Sequence, residues 1–126
     1  MLIINAFKTE EVITMSPYEN VLILKLTEGE EMPINRLAQL ADGHWKVNAI
    51  RIQSVRAVIV MIHKKVMADF FLNDHVTLEL NTGRISNLGL TNAHNITGLV
   101  GNVINYGTAN PATIKPLKDL KKIIAH

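Results

Sequence analysis

The side chains able to do chemistry are few and widely spaced. Five histidines (His44, His63, His75, His94 and His126) stand twelve to thirty-two residues apart. No two meet at the i, i+3 or i+4 spacing by which a helix presents a metal-binding pair. Asp74 could orient the imidazole of His75, but Ser16, Ser54 and Ser86 supply no nucleophile elbow to go with it. After residue 31 the carboxylates thin out to Asp42, Asp69, Asp74, Glu79 and Asp119, a poor supply for a two-carboxylate hydrolase. With no cysteine, thiol catalysis, zinc ribbons, iron–sulfur clusters and disulfide scaffolds are excluded. The residues therefore predict no catalytic group, no metal ligand and no cofactor.

Phosphate loops are equally scarce. Neither GxxxxGK[ST] nor GxGxxG occurs. Gly98-Leu-Val-Gly101 has the GxxG form that clamps an RNA backbone between two helices, but its surroundings read as strand, so it predicts a turn. Asn95-Ile-Thr97 is a formal glycosylation sequon and means little without a secretory signal.

The Gly- and Asn-rich half offers a different chemistry. Arg84, Asn87, Asn92, Asn95, Asn102, Asn105 and Asn110 supply guanidinium and amide groups. An amide presents donors and an acceptor to a base edge, and a guanidinium suits phosphate. Aromatic residues are few: Phe7, Tyr18, Trp45, Phe70, Phe71 and Tyr106. Trp45 is either a core anchor, the favoured reading, or a wall on which a base stacks. On a strand Phe70 and Phe71 point to opposite faces, so one of them needs a ligand or partner to cover it.

These groups must be positioned by a β-rich chain. Asn20–Leu26 and Arg56–Ile62 read as buried strands, the second being the strongest. Leu2–Phe7 and Val12–Thr14 read as shorter ones, followed by a turn at Ser16-Pro17. Pro33 opens a helix with Ile34, Leu37, Leu40 and Ala41 on one face, and Asp42-Gly43 stops it. Ala49–Ser54 is a short helical candidate. His63-Lys64-Lys65 turns the chain into a hairpin with Val66–Leu72. His75–Leu80, a turn at Asn81-Thr-Gly83, Arg84–Asn87 and a strand over Leu99–Tyr106 follow. The segment Pro116–Ile124 reads as a helix with Leu117, Leu120 and Ile124 on one face and lysines elsewhere. The fold class predicted is α+β: a small, strongly bent or barrel-like, mainly antiparallel β-sheet flanked by two or three short helices, as one domain over residues 1–126.

Composition agrees. A chain of 126 residues, 48% hydrophobic and 19% charged, suffices for one core. The longest apolar run, Ala57 to Ile62, is six residues, too short for a membrane span, and no basic region precedes the apolar N-terminus as in a signal peptide. A cytoplasmic protein is expected. The net charge of +2 hides an asymmetry: residues 1–31 carry two basic against six acidic groups, and residues 32–126 carry eleven against five. Such polarity either steers an anionic ligand or leaves two solvated faces.

The order of motifs resembles the small PUA-like domains, a group that includes the ASCH and EVE types. It runs from Asn35-Arg-Leu-Ala-Gln-Leu40 and Trp45-Lys-Val-Asn48 through Arg51–Val55 and the 56–72 hairpin to Gly83-Arg-Ile85, Gly98–Gly101 and Ala109-Asn-Pro111. The resemblance implies a barrel-like sheet with a cleft for RNA or a flipped, often modified base, with Trp45, Asn48, Arg51 and Arg84 near it. It departs from the pattern at Leu72-Asn73-Asp74, where a base cage would have another aromatic. Together with the residues above, the expected ligand contacts are Trp45, Asn48, Arg51, Phe71, Arg84, Asn87 and Asn92. The expected function is non-enzymatic binding of a nucleotide, nucleobase or nucleic acid, with a homo-oligomer expected and no membrane partner. One alternative is a viral anti-defence sponge of the Thoeris anti-defence type, sequestering a cyclic nucleotide. Another is a purely structural domain whose amides cap turns.

Overall fold

The computed structural model describes residues 2–5, 20–26, 33–41, 45–47, 51–73, 75–86, 88–106 and 111–125. Its centre is a parallel pair, and the sequence explains why. Asn20–Leu26 (β2) and Ala57–Ile62 (β4) are apolar runs without alternation, so each needs cover on both faces. They pair in parallel from Val21 opposite Ala57 to Leu26 opposite Ile62, and all six residues of β4 are buried.

A parallel pair needs a long crossover. Here it contains the helix Ile34–Ala41 (α1), the short strand Trp45–Lys46 (β3) and a 3₁₀ turn at Arg51–Ser54. Pro33 starts α1 as expected: its carbonyl accepts the N–H of Arg36 and of Leu37 at 2.9 and 3.1 Å. Leu37 and Ala41, four residues apart, are the buried stripe.

Antiparallel strands complete two sheets. Lys65–Phe71 (β5) returns along β4, Thr91–Asn92 (β8) adds to β5, and Ala112–Pro116 (β9) adds to β2, for the order β8-β5-β4-β2-β9. The second sheet joins Leu2–Asn5 (β1), His75–Glu79 (β6), Arg84–Ser86 (β7) and β3 in the order β1-β6-β7-β3. Apart from β2–β4, every pairing among the described strands is antiparallel.

Strand alternation divides the core in two. Leu22, Leu24, Val58, Val60 and Phe70 face one side, where Leu37, Ile52, Val76 and Ile85 close over them. Val21, Ile23, Ile59 and Met61 face the other, beneath Leu99, Ile104 and Leu120. A bulge keeps this parity. Val60 opposes Ala68 while Met61 opposes Val66, so Met67 is the extra residue and its neighbours stay on their own faces.

Several expectations change. The strands form two sheets that do not close into a barrel, because each sheet ends in its own edge strands. Leu99–Tyr106 is not a strand. Positive φ at Gly98 (75°) and Gly101 (89°) curls the chain, leaving isolated bridges from Val103 to Lys65 and from Ile104 to Ile124. Its apolar residues Leu99 and Ile104 instead form a lid over the second core. Both β8 and β9 go unannounced in the sequence. The last helix (α2) is only Leu117–Lys122, with Ile124 in a bridge beyond it. The expected strand Val12–Thr14, the Ser16-Pro17 turn and the Asp42-Gly43 stop lie outside the described residues.

Candidate functional site

Two of the expected contacts share the second sheet. Trp45 opposes Ile85 and Lys46 opposes Arg84 across β3–β7, and on the far side of β7 Arg84 opposes Glu79. Lys46 and Arg84 are both exposed. Arg84 thus stands in one ladder row between a cation, Lys46, and a carboxylate, Glu79. Trp45 packs beneath this row. It is half-buried against the first core, and its indole N–H donates to the Ala41 carbonyl at 2.7 Å. That bond satisfies one of the C-terminal carbonyls that α1 leaves open. Trp45 is thus an anchor on the core face of β3, with Lys46 on the opposite face.

The other expected contacts are elsewhere. Arg51 begins the 3₁₀ turn, while Asn48 and Asn87 lie outside the described residues. Phe71 and Asn92 belong to the first sheet, at the β5–β8 edge, so the structure does not gather the expected contacts into one sheet. Phe70 is wholly buried and Phe71 half-buried on the opposite face, as alternation requires. Asn92 uses its carbonyl oxygen locally, accepting the His94 N–H at 2.9 Å in an Asx turn.

That turn opens a loop organised by a residue the motifs do not single out. Asp69 sits in mid-strand on β5, only 1% exposed. A buried carboxylate must be matched by donors, and here the loop brings them. Oδ1 accepts the Asn95 N–H at 2.8 Å. Oδ2 accepts the Thr97 N–H at 2.9 Å and the Thr97 hydroxyl at 2.7 Å. His94 and Asn95 adopt positive φ (51° and 66°), which turns these groups inward. An acidic residue inside an apolar strand, followed by an Asn/Thr-rich loop, was the available signal.

The same loop disposes of the GxxG reading. Gly98 N–H donates to the Asn95 carbonyl, Leu99 N–H to Thr97 Oγ1, Val100 N–H to Asn95 Oδ1, and Gly101 N–H to the Val66 carbonyl. Every amide hydrogen of Gly98–Gly101 is engaged within the fold, so none is presented to a phosphate. Asn102 likewise donates its side-chain amide toward the Leu99 carbonyl at 3.3 Å. Thr97, also 1% exposed, is no surface sequon residue.

What remains outward is charge. The described side chains include eleven lysines and arginines and three carboxylates, buried Asp69, half-buried Glu79 and exposed Asp119; the chain's other eight carboxylates lie outside the described residues. Lys25 is half-buried, its ammonium 5.1 Å from the Tyr106 ring centroid. Lys46, Lys64, Lys65, Arg84, Lys115, Lys118, Lys121 and Lys122 are exposed. Among the described residues no group of three or more His, Asp or Glu side chains could hold a metal ion. Nor is any described helix long and apolar enough to cross a membrane. Comparison with protein-family models, with curated proteins and with solved structures finds nothing that matches the chain.

Proposed function

We propose that this chain is a non-enzymatic nucleic-acid-binding domain, of the kind the PUA-like resemblance suggests, recognising RNA or a base within it. The observation that carries the reading is the exposed cation pair Lys46 and Arg84, which face each other across the β3–β7 ladder. Such a surface attracts a polyphosphate by releasing condensed counterions, which needs no preformed pocket. Trp45 and Ile85 take the core face of the same two strands, so the outward face of this ladder offers charge for phosphate contacts and Trp45 holds it in place. The sequestering alternative drew on a supply of amides, and Asn92, Asn95 and Asn102 use theirs to hold the 92–102 loop.

The test is fluorescence anisotropy with a labelled single-stranded RNA of mixed sequence, titrated across salt. Neutralising about four to six phosphates of a single strand makes affinity fall roughly 50- to 350-fold between about 50 and 200 mM salt. Quenching of Trp45, the chain's one tryptophan, reports whether the ring takes part. No binding at the lowest salt, or salt-independent binding of a cyclic dinucleotide instead, rejects the reading.

A further inference from the structure

We infer that the tip of the β4–β5 hairpin and the lysine face of α2 together form a track for the nucleic-acid phosphate backbone, separate from the Lys46–Arg84 face. The inference rests on the nucleic-acid reading above and assigns the lysines which that reading leaves without a role. Lys64 stands at the hairpin tip and Lys118, Lys121 and Lys122 on α2, all exposed; Lys65, paired with Ile62, takes the first-core face instead.

The two groups are joined by one ribbon of chain. The Lys64 carbonyl accepts the Ile104 N–H at 2.9 Å, and Lys65 bridges to Val103. On the ribbon's other side Ile104 bridges to Ile124, Asn105 N–H donates to the Ile123 carbonyl at 2.9 Å, and Ala125 N–H donates to the Val103 carbonyl at 2.7 Å. Hairpin tip and post-helix segment are therefore two strand spacings apart, about 10 Å. Lys121 reaches toward the 92–102 loop, with Nζ 3.9 Å from where a Cβ would stand on Gly98. The one described carboxylate on α2 is Asp119. Leu99, Ile104 and Leu120 hold this layer on the second core, whereas Trp45 packs on the first.

Two features say what kind of anion fits. First, the loop's amide hydrogens are engaged internally, so recognition there runs through lysine side chains, which act as point charges without base selectivity. Second, α2 has no apolar face to give a membrane, since Leu120 is 1% exposed and Leu117, Ile123 and Ile124 pack on the same core. Interfacial helices need such a face. A phosphodiester backbone asks only for charge.

The hairpin supports a retained charge. It is a two-residue turn, Ile62 pairing with Lys65, and its central residues His63 and Lys64 both have positive φ (50° and 67°). This geometry favours Asn-Gly, so two bulky side chains stand there against local preference. Strained positions of this sort concentrate where function holds them.

The experiment compares the full chain with a variant carrying Lys64→Gln, Lys118→Gln, Lys121→Gln and Lys122→Gln, using the same single-stranded RNA across salt. The variant is expected to keep its circular dichroism spectrum, lose roughly tenfold or more in affinity, and show a log–log salt slope shallower by about three. Lys64→Gly is the second variant, expected to fold at least as well as the parent and to bind more weakly. An unchanged slope in the quadruple variant, with the parent binding normally, overturns this inference and leaves the nucleic-acid reading standing. A parent that binds no RNA overturns both. Sedimentation with phosphatidylserine vesicles that depends on these lysines, and is stronger than RNA binding, overturns the track in favour of a membrane surface.

Discussion

The carboxylate of Asp69 accepts hydrogen bonds from both the backbone N–H and the hydroxyl of Thr97, at 2.9 and 2.7 Å, with both residues 1% exposed. This pair ties a central-sheet strand to the loop that carries Leu99 and Ile104 onto the second core. Thr97 Oγ1 also accepts the Leu99 N–H at 3.2 Å, so the contact passes directly to the residue that plugs the core.

Asp69→Ala is expected to lower stability by about 3–5 kcal/mol, because it strands the Asn95 and Thr97 amides in a buried site. Thr97→Val removes one donor to Asp69 and one acceptor for Leu99, and should lower it by about 1–3 kcal/mol. Urea denaturation of both singles and the double gives the coupling, expected above about 0.5 kcal/mol. A loss below about 1 kcal/mol in Asp69→Ala would show that the loop is held by its apolar residues alone.

Trp45→Phe keeps an aromatic ring and removes the donor to Ala41. Stability should fall by about 1 kcal/mol. RNA affinity should stay within about twofold, since the ring lies on the core face of β3 and the cations on the other. Trp45→Ala, which also empties part of the first core, should lower stability by about 2–3 kcal/mol. Thermal melts followed by circular dichroism separate the two effects, and equal losses in both variants would contradict the anchoring role of the ring.

The turn His63-Lys64 should be improvable. Combining His63→Asn with Lys64→Gly supplies residues suited to positive φ at both central positions. The expected gain is about 1 kcal/mol in denaturant unfolding, accompanied by weaker RNA binding. A double variant that is less stable than the parent would mean that the tip side chains contribute contacts outweighing the backbone strain.

Lys46→Glu places an acid opposite Arg84 in the β3–β7 ladder. Relief of like-charge repulsion should raise stability by about 0.5 kcal/mol. RNA affinity should fall several-fold as the charge reverses. Arg84→Ala should weaken a phosphate-bearing ligand by roughly 1–3 kcal/mol if the guanidinium touches phosphate. Unaltered titrations for both variants would remove this row from the site.

Much of the architecture was legible in local pattern. Apolar runs marked β2 and β4 as strands, and Pro33 with the 34–41 periodicity marked α1; that both strands are covered on two faces came from the structure. The hairpin at 62–65 followed from two facing strands, although His63-Lys64 carries no standard turn signature. The two-residue β8 and the proline-ended β9 were not legible, because a short strand is set by the open edge it meets: β8 by β5, β9 by β2. Leu99–Tyr106 misled because strand-like composition says which residues are buried and not how the backbone travels, and two glycines at positive φ decided the path.

For the candidate site the division is sharper. Residue types alone determined the scarcity of catalytic and metal-binding chemistry and the basic character of residues 32–126. Only the tertiary structure decided which polar groups face outward. Asn92 and Asn95 engage neighbours two and five residues away, once the loop has turned. Asp69 meets its donors across 26 and 28 residues. A side chain's chemistry is local, but whether its hydrogen-bonding capacity is already used depends on which distant backbone folding brings against it.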